Sequence, residues 1–406
     1  MKIGFGKGIK MYEIEKGQLT ELLTDLVSIE SPYLEEDEIM EYVYSWFRKN
    51  GIKAFVHHYN EAKVTGFKGK NIVANIEGNK NGPVICLNGH LDTVKLCNGW
   101  THNPKGEIKD DRFYGVGALD MKSGCAATMI AVTAFAENHK DFRGKIIATY
   151  VSVEEGPYGM GTNALIDEGY LKDVDFSIST EPSAGFSGNK FPDVCLGARG
   201  GYGLDIEFFG ISSHAATPEL GVSAAEDAST VISELKNIEY IKDPHLGTGN
   251  ACVIGIECDG GACSVPDYAK VKLFWHIVPG ENEETITGEI EKAIRRANIK
   301  CKYKINFRKS PSEGSKGFMP YIVSKEDPMV KEFLETVEEV CKTKPEISYF
   351  QSIGDFNYLG SRLGVPVVIF GASGKNFHGK DEYVELDSVV KTAETVYRFL
   401  ERMLCL

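Results

Sequence analysis

The sequence predicts an α/β domain, with helices covering a sheet on both faces, that is interrupted by an inserted α+β domain. Three observations predict it. In the first half, helical and strand-like segments alternate, and the strand-like runs are solidly apolar, as strands buried on both faces are. Around residue 198 the strands change to alternating apolar and polar residues, the habit of a sheet with one wet face. After Ser310-Pro311-Ser312-Glu313-Gly314 the first pattern resumes. The expected boundaries are 1–197 with 313–406 for the divided domain and 198–312 for the insertion.

Residues 16–30 carry Leu19, Leu22, Leu23, Leu26 and Val27 at helical spacing, and 36–49 repeat this with Ile39, Met40, Tyr42, Val43 and Trp46. Strand-like runs follow at Ile72–Ile76 and at 83–87. Met121–Glu137 is apolar and rich in small residues, which suits a helix packed tightly on a sheet. A strand at 146–153, a helix near 161–169 and a strand at 175–180 complete the first half. In the insertion, Leu204–Phe208 and Ala269–Phe274 alternate in polarity, with helices near 222–236 and 283–297. The last stretch reads as a helix at 328–342, the strand Val365–Phe370 and a terminal helix from Leu386. No internal repeat or low-complexity tract is present.

The 406 residues are 42% hydrophobic and 25% charged, ordinary for a globular chain and enough for two domains. A formal charge of −13 argues against a nucleic-acid surface, which needs clustered Lys and Arg. No run of 18 apolar residues exists, so no membrane partner is expected. The segment Met1–Gly8 lacks the apolar core of a signal peptide, so a cytoplasmic location is expected. Ten scattered cysteines form no Cys-x-x-Cys pair and read as small, reduced apolar side chains. His57, His58, His102, His139 and His245 have no partner at ligand spacing and read as surface residues.

Six residues read as a two-metal hydrolytic site: His90, Asp120, Glu154, Glu155, Glu181 and His378. His90, Glu154-Glu155 and Glu181 each follow an apolar strand-like run, and ligands bind at that edge of open α/β sheets. Acidic groups and imidazoles there are costly unless something pairs them. His90 and Asp92, two apart in extended chain, can face one side, with His90 on a metal and Asp92 holding the other ring nitrogen. Asp120 lies in Gly115–Gly124, whose glycines permit unusual backbone angles, and a carboxylate can bridge two cations. As a lone residue it could equally be a helix N-cap. Glu154 and Glu155 repel each other without a cation, and their side chains point apart. One can ligate while the other acts as general base. His214, between Gly210 and Pro218, reads on its own as a surface loop histidine.

These residues, in this order, resemble the acetylornithine deacetylase, succinyl-diaminopimelate desuccinylase, aminoacylase and carboxypeptidase G family of dinuclear zinc hydrolases. The resemblance rests on Gly89–Val94, Gly115–Gly124, Glu154-Glu155-Gly156, Thr180-Glu181-Pro182, Gly210–Pro218, Val265-Pro266-Asp267 and His378 with Asp381–Val384. It implies a zinc-peptidase-like catalytic domain with a mixed central sheet, and an inserted α+β sandwich that serves as lid and dimerisation domain. It also implies two Zn²⁺ per subunit, with Co²⁺ or Mn²⁺ as substitutes. Asp120 would bridge them, His90 and Glu181 would complete one site, and Glu155 and His378 the other. Glu154 would be the base. A homodimer through residues 198–312 would bring His214 to the partner's active site to steady an oxyanion. A cis peptide after Asp120 is implied as well.

Two positions depart from the family pattern. Many members carry an arginine near the end of a lid strand, where this chain has His276, and another in the C-terminal segment, where it has Asn357. Neither reproduces the bidentate fork of a guanidinium on a carboxylate. Arg199 is a candidate to serve instead, and Asn250 resembles a lid asparagine that touches substrate. The expected function is hydrolysis of the amide bond of a small N-acyl amino acid. The rivals are a di- or tripeptidase of the same family and a catalytically silent binding homologue.

Overall fold

The computed structural model describes residues 12–156, 159–310, 312 and 317–405. Two compact units divide the chain. One comprises Met1–Leu196, Val323–Ser348 and Leu363–Leu406, the other Gly197–Ile322 and Tyr349–Arg362.

The first unit is built on a mixed sheet. Its strands lie in the order Ala54–Asn60, Lys68–Glu77, Arg143–Val151, Lys80–His90, Phe176–Ser179, Val367–Ile369 and Asp193–Ala198. The four from Arg143–Val151 to Val367–Ile369 run parallel, and the flanking pairs are antiparallel. The last six residues of Lys80–His90 are all buried, as are all four of Phe176–Ser179. Consecutive burial without alternation means both faces are covered. Cover comes from helices such as Ser123–Asn138, on which Leu386–Leu404 packs. Gly124 lets the former close on the sheet, because a Cβ there would sit 2.2 Å from the Thr180 carbonyl oxygen. Helix Pro328–Cys341 starts where Asp327 accepts the Met329 and Val330 amides and proline occupies the first turn.

The second unit carries a four-stranded antiparallel sheet ordered Asn250–Cys258, Tyr268–Ile277, Gly200–Phe209, Lys302–Phe307. Its middle strands alternate in burial, and Ile206, Phe208, Val271, Leu273 and Trp275 form a core with Ile290 and Ile294 of helix Glu283–Ala297. That helix has a reciprocal cap between Asn282 and Thr285.

Three expectations need correction. Residues 317–322 and 349–362 fall with the second unit, not with a catalytic domain spanning 313–406. The cause is pairing: Tyr321-Ile322 bonds to Gly197-Ala198, and the Arg199 amide donates to Phe350. Part of the expected 312/313 boundary lies outside the described residues. His57 is no surface residue. It is 3% exposed, between Asn71 and Glu168. Among strands of six residues or more, four were missed, Ala54–Asn60, Asp193–Ala198, Asn250–Cys258 and Lys302–Phe307, along with shorter ones such as Glu346–Phe350. Among the described residues no helix is long and apolar enough to cross a membrane.

Replacing the Asp327 cap tests this account of the helix start. Asp327→Ala should lower stability by about 1 kcal/mol in urea denaturation. No change would assign the start to Pro328 alone.

Candidate metal centre

The parallel strands of the first unit deliver acidic and imidazole groups at their carboxyl ends. His90 is the last residue of its strand, Glu154 and Glu155 follow the strand that ends at Val151, and Glu181 follows the one that ends at Ser179. Asp120 sits in the turn Ala118–Lys122, entered through Gly117 at φ 71°, and the Asp120–Met121 peptide is cis. His378 lies between two short strands of the same unit, also at positive φ.

Two clusters result, joined through Asp120. His90 Nε2 is 3.4 Å from Asp120 Oδ1 and 3.5 Å from Glu181 Oε1. His378 Nε2 is 3.4 Å from Asp120 Oδ2 and 2.8 Å from Glu155 Oε1. Each cluster keeps its ligand atoms within 4.8 Å of one another. Glu154 Oε2 stands 3.8 Å from His90 Nε2.

The electrostatics are those of anions crowded away from water. Burial, and then the Asp120 charge, push Glu155 up and Glu181 well up from the usual carboxylate range. Asp120 is held below that range, where the facing His378 and His90 imidazoles outweigh its burial. Burial opposes charge on the imidazoles too, yet Glu181 and Glu154 carry His90 well above its ordinary value, and Asp120 and Glu155 push His378 up to about 11. A cation among these groups would relieve the same repulsion. His90 Nε2 is buried with no hydrogen-bond partner, aimed at carboxylate oxygens. Imidazole nitrogen with carboxylate oxygen is a donor set suited to zinc-like divalent ions. The residues fit a metal.

Backbone amides secure the frame around these groups. The Asp92 carboxylate accepts the amides of Glu154 and Glu155 at 3.1 and 2.8 Å. His90 Nδ1 lies 3.0 Å from the Asp92 main-chain oxygen and 3.6 Å from its carboxylate. The expected carboxylate–imidazole hydrogen bond is therefore replaced by one to the Asp92 carbonyl, while the carboxylate serves the next loop. Glu382 plays a similar part unforeseen in the sequence. Only 2% exposed, it accepts the Gly117, Leu119 and Asp120 amides and so fixes the Asp120 turn. The signal was a carboxylate directly before the apolar Tyr383-Val384 pair. Lys122 is also buried, donating to the Leu26 and Ile29 carbonyls, and burial lowers its amine to about 7.

The other expected residues all lie in the second unit. Arg199 Nε donates to the Leu246 carbonyl. Asn250 is exposed and stands opposite His276 in the strand register. Burial and the Arg199 charge lower His276 to about 4. Asn357 is corrected from substrate contact to scaffold. It is fully buried, its amide donates to the Arg199 and Met319 carbonyls, and its oxygen accepts the Gly354 amide. His214 is exposed, and its Nδ1 accepts the Ala216 amide at 3.0 Å, which puts the ring proton on Nε2.

The lowered His276 value has a direction in pH. The folded state keeps this ring neutral, so the unfolded state binds a proton first. Its contribution to stability is present above the ordinary value of about 6.5 and falls as pH drops toward 4. Imidazole resonances should show His276 titrating well below the ordinary value of about 6.5, and His276→Gln should lose less stability across that window. A midpoint near 6.5 would refute the burial argument.

Residues 86–402 match the model of peptidase family M20/M25/M40. The chain is 28% identical to a succinyl-diaminopimelate desuccinylase of Rickettsia massiliae over 397 residues, covering 94% of this chain and 99% of that one. In fold it is similar to a tripeptidase from Staphylococcus aureus, with a TM-score of 0.79 at 20% identity over 97% of this chain and 99% of the other. It is also similar to an M20 family metallo-carboxypeptidase from Sulfolobus solfataricus, with a TM-score of 0.77 at 18% identity over 95% and 98%. With four-fifths of its length matched and a metal-binding residue set at the strand ends, the chain belongs to the M20/M25/M40 peptidase family, a metal-dependent hydrolase of amide bonds.

Proposed function

We propose that this enzyme removes the acyl group from an N-acyl amino acid, using two Zn²⁺ held at the paired clusters. The observation that carries the reading is the sharing of Asp120 between two ligand sets with Glu154 beside them. His90, Asp120 and Glu181 would hold one ion, and Asp120, Glu155 and His378 the other, with Co²⁺ or Mn²⁺ able to substitute. Bound there, the ions supply Lewis acidity that acidifies a water and polarises the acyl carbonyl.

The chain's own groups do the rest. Glu154 takes the proton of the attacking water and gives it to the leaving nitrogen. Asp92 keeps the Glu154 and Glu155 amides in place and its carbonyl orients His90. His214 donates from Nε2 to the oxyanion of the tetrahedral intermediate, reaching it in a homodimer formed through residues 198–312. Arg199, Asn250 and His276 are the residues proposed to meet the substrate's remaining groups. The ten free cysteines suit a reducing compartment, in keeping with a cytoplasmic enzyme.

Supporting a deacylase is the similarity along nearly the whole chain to a protein named a desuccinylase. A di- or tripeptidase is the second reading, favoured by the fold similarity to a tripeptidase. Amine release from N-acetyl-, N-succinyl- and N-formyl-amino acids and from short peptides, with Zn²⁺ or Co²⁺, separates them. The deacylase reading expects one acyl series to be preferred and lost with chelator, whereas peptide preference would replace it. Glu154→Ala should retain metal and lose about 10²- to 10⁴-fold in kcat. Unchanged turnover would remove Glu154 from the mechanism.

His214→Ala should lower kcat by about 10²-fold or more with the dimer intact. An unaltered kcat in assembled protein would end the oxyanion assignment.

A further inference from the structure

Val153 is a fully buried, β-branched residue with φ of 60°. That region is uncommon outside glycine and an outlier for a β-branched side chain. Such a conformation persists only where its surroundings over-determine it. Here the surroundings are two buried polar side chains from elsewhere in the first unit. Glu36, 3% exposed, accepts the Val153 amide at 3.1 Å and the Leu34 amide at 2.8 Å through one carboxylate oxygen. Asn71, 0% exposed, grips the chain on both sides of the turn. Its oxygen accepts the Ser152 amide at 3.2 Å, and its amide donates to the Gly161 carbonyl at 3.0 Å with His57 Nδ1 3.1 Å away. The Met160 amide closes the turn onto the Val153 carbonyl.

The product of this turn is a pair of successive amides, Glu154 and Glu155, converging on one carboxylate, Asp92. Consecutive N–H groups beside a left-handed residue form a concavity for an anion. Filling it with Asp92 fixes the backbone from which the Glu154 and Glu155 side chains leave. Their division of labour depends on that backbone, because one reaches toward His90 and the other meets His378.

We propose that Glu36 and Asn71 are positioning residues of the metal centre, holding Val153 left-handed so that Glu154 and Glu155 are aimed at their separate tasks. The proposal rests on the reading of Glu154 as base and Glu155 as ligand.

The test uses full-length protein loaded with Co²⁺ and compares Glu36→Ala with Glu36→Gln, which keeps an oxygen acceptor. Readouts are kcat, KM, melting temperature and the visible Co²⁺ spectrum, which reports ligand geometry without any substrate. Misplacing a reacting group by about 1 Å costs on the order of 10²-fold in rate. Glu36→Ala should accordingly lose about tenfold or more in kcat with KM nearly unchanged, and its Co²⁺ bands should shift. Glu36→Gln should restore both. Native kcat and native bands in folded Glu36→Ala would overturn the proposal, as would a kcat loss that tracks melting temperature with native bands. Should Glu36→Ala fail to fold, Asn71→Asp keeps the acceptor for Ser152 and loses the donor to Gly161, and the same readouts decide. If no amide substrate is found for the native enzyme, the Co²⁺ bands still decide, so failure of the substrate reading stays distinguishable.

Discussion

Repulsion among buried carboxylates is the constraint on which the centre depends. Asp92, Asp120, Glu181 and Glu382 are each 6% exposed or less, and Glu155 is nearly as hidden. Isolated anions cannot be kept so far from water, so each needs positive partners. The chain supplies two kinds. Asp92 and Glu382 are met by backbone amides, two and three of them respectively. Asp120, Glu155 and Glu181 face imidazoles and one another. Amide-held carboxylates are thereby committed to shaping loops, and the others are the ones that could hold a cation. The distinction separates scaffold from ligand without reference to any bound ion.

The sheet makes this possible by where its strands stop. Three neighbouring parallel strands end within a few residues of His90, Glu154 and Glu181. The Asp120 turn and the His378 loop bring the remaining candidate ligands to the same end. The candidate ligands come from five separate segments, with His90, Asp120 and Glu181 buried and His378 on an exposed loop.

Much of this was legible in the sequence because buried parallel strands leave a plain trace. Apolar runs followed at once by His90, Glu154-Glu155 and Glu181 marked both the strands and their functional ends. Helical spacing exposed the helices that flank them. The edge strand Asn250–Cys258 was hidden because several of its apolar residues, Ile254 and Ile256 among them, face solvent and blur the expected alternation. Ala54–Asn60 was obscured by two histidines, one of which turned out to be buried. The roles of Glu36 and Asn71 had no local signal at all, and that of Glu382 had only its place before an apolar pair. Each acts on backbone amides or carbonyls that are distant in sequence, and hydrogen bonds to the main chain leave no mark on the residue types they join. Asn357 shows the converse error, since occupying an arginine's place in a pattern says nothing about whether the side chain is free to bind.

The chain passes between the two units four times, after residues 196, 322, 348 and 362. A ribosome makes residues in order, and domains generally fold as their chain emerges. The second unit has all its residues once Arg362 is made. The first unit at that stage still lacks His378, Glu382 and its long last helix. A nascent enzyme therefore carries His90, Asp120, Glu155 and Glu181 as an incomplete acidic cluster until synthesis reaches residue 378. One candidate cluster has its full set before that point, and the other does not. Stepwise growth imposes an order of assembly on two clusters that look symmetric in the finished molecule.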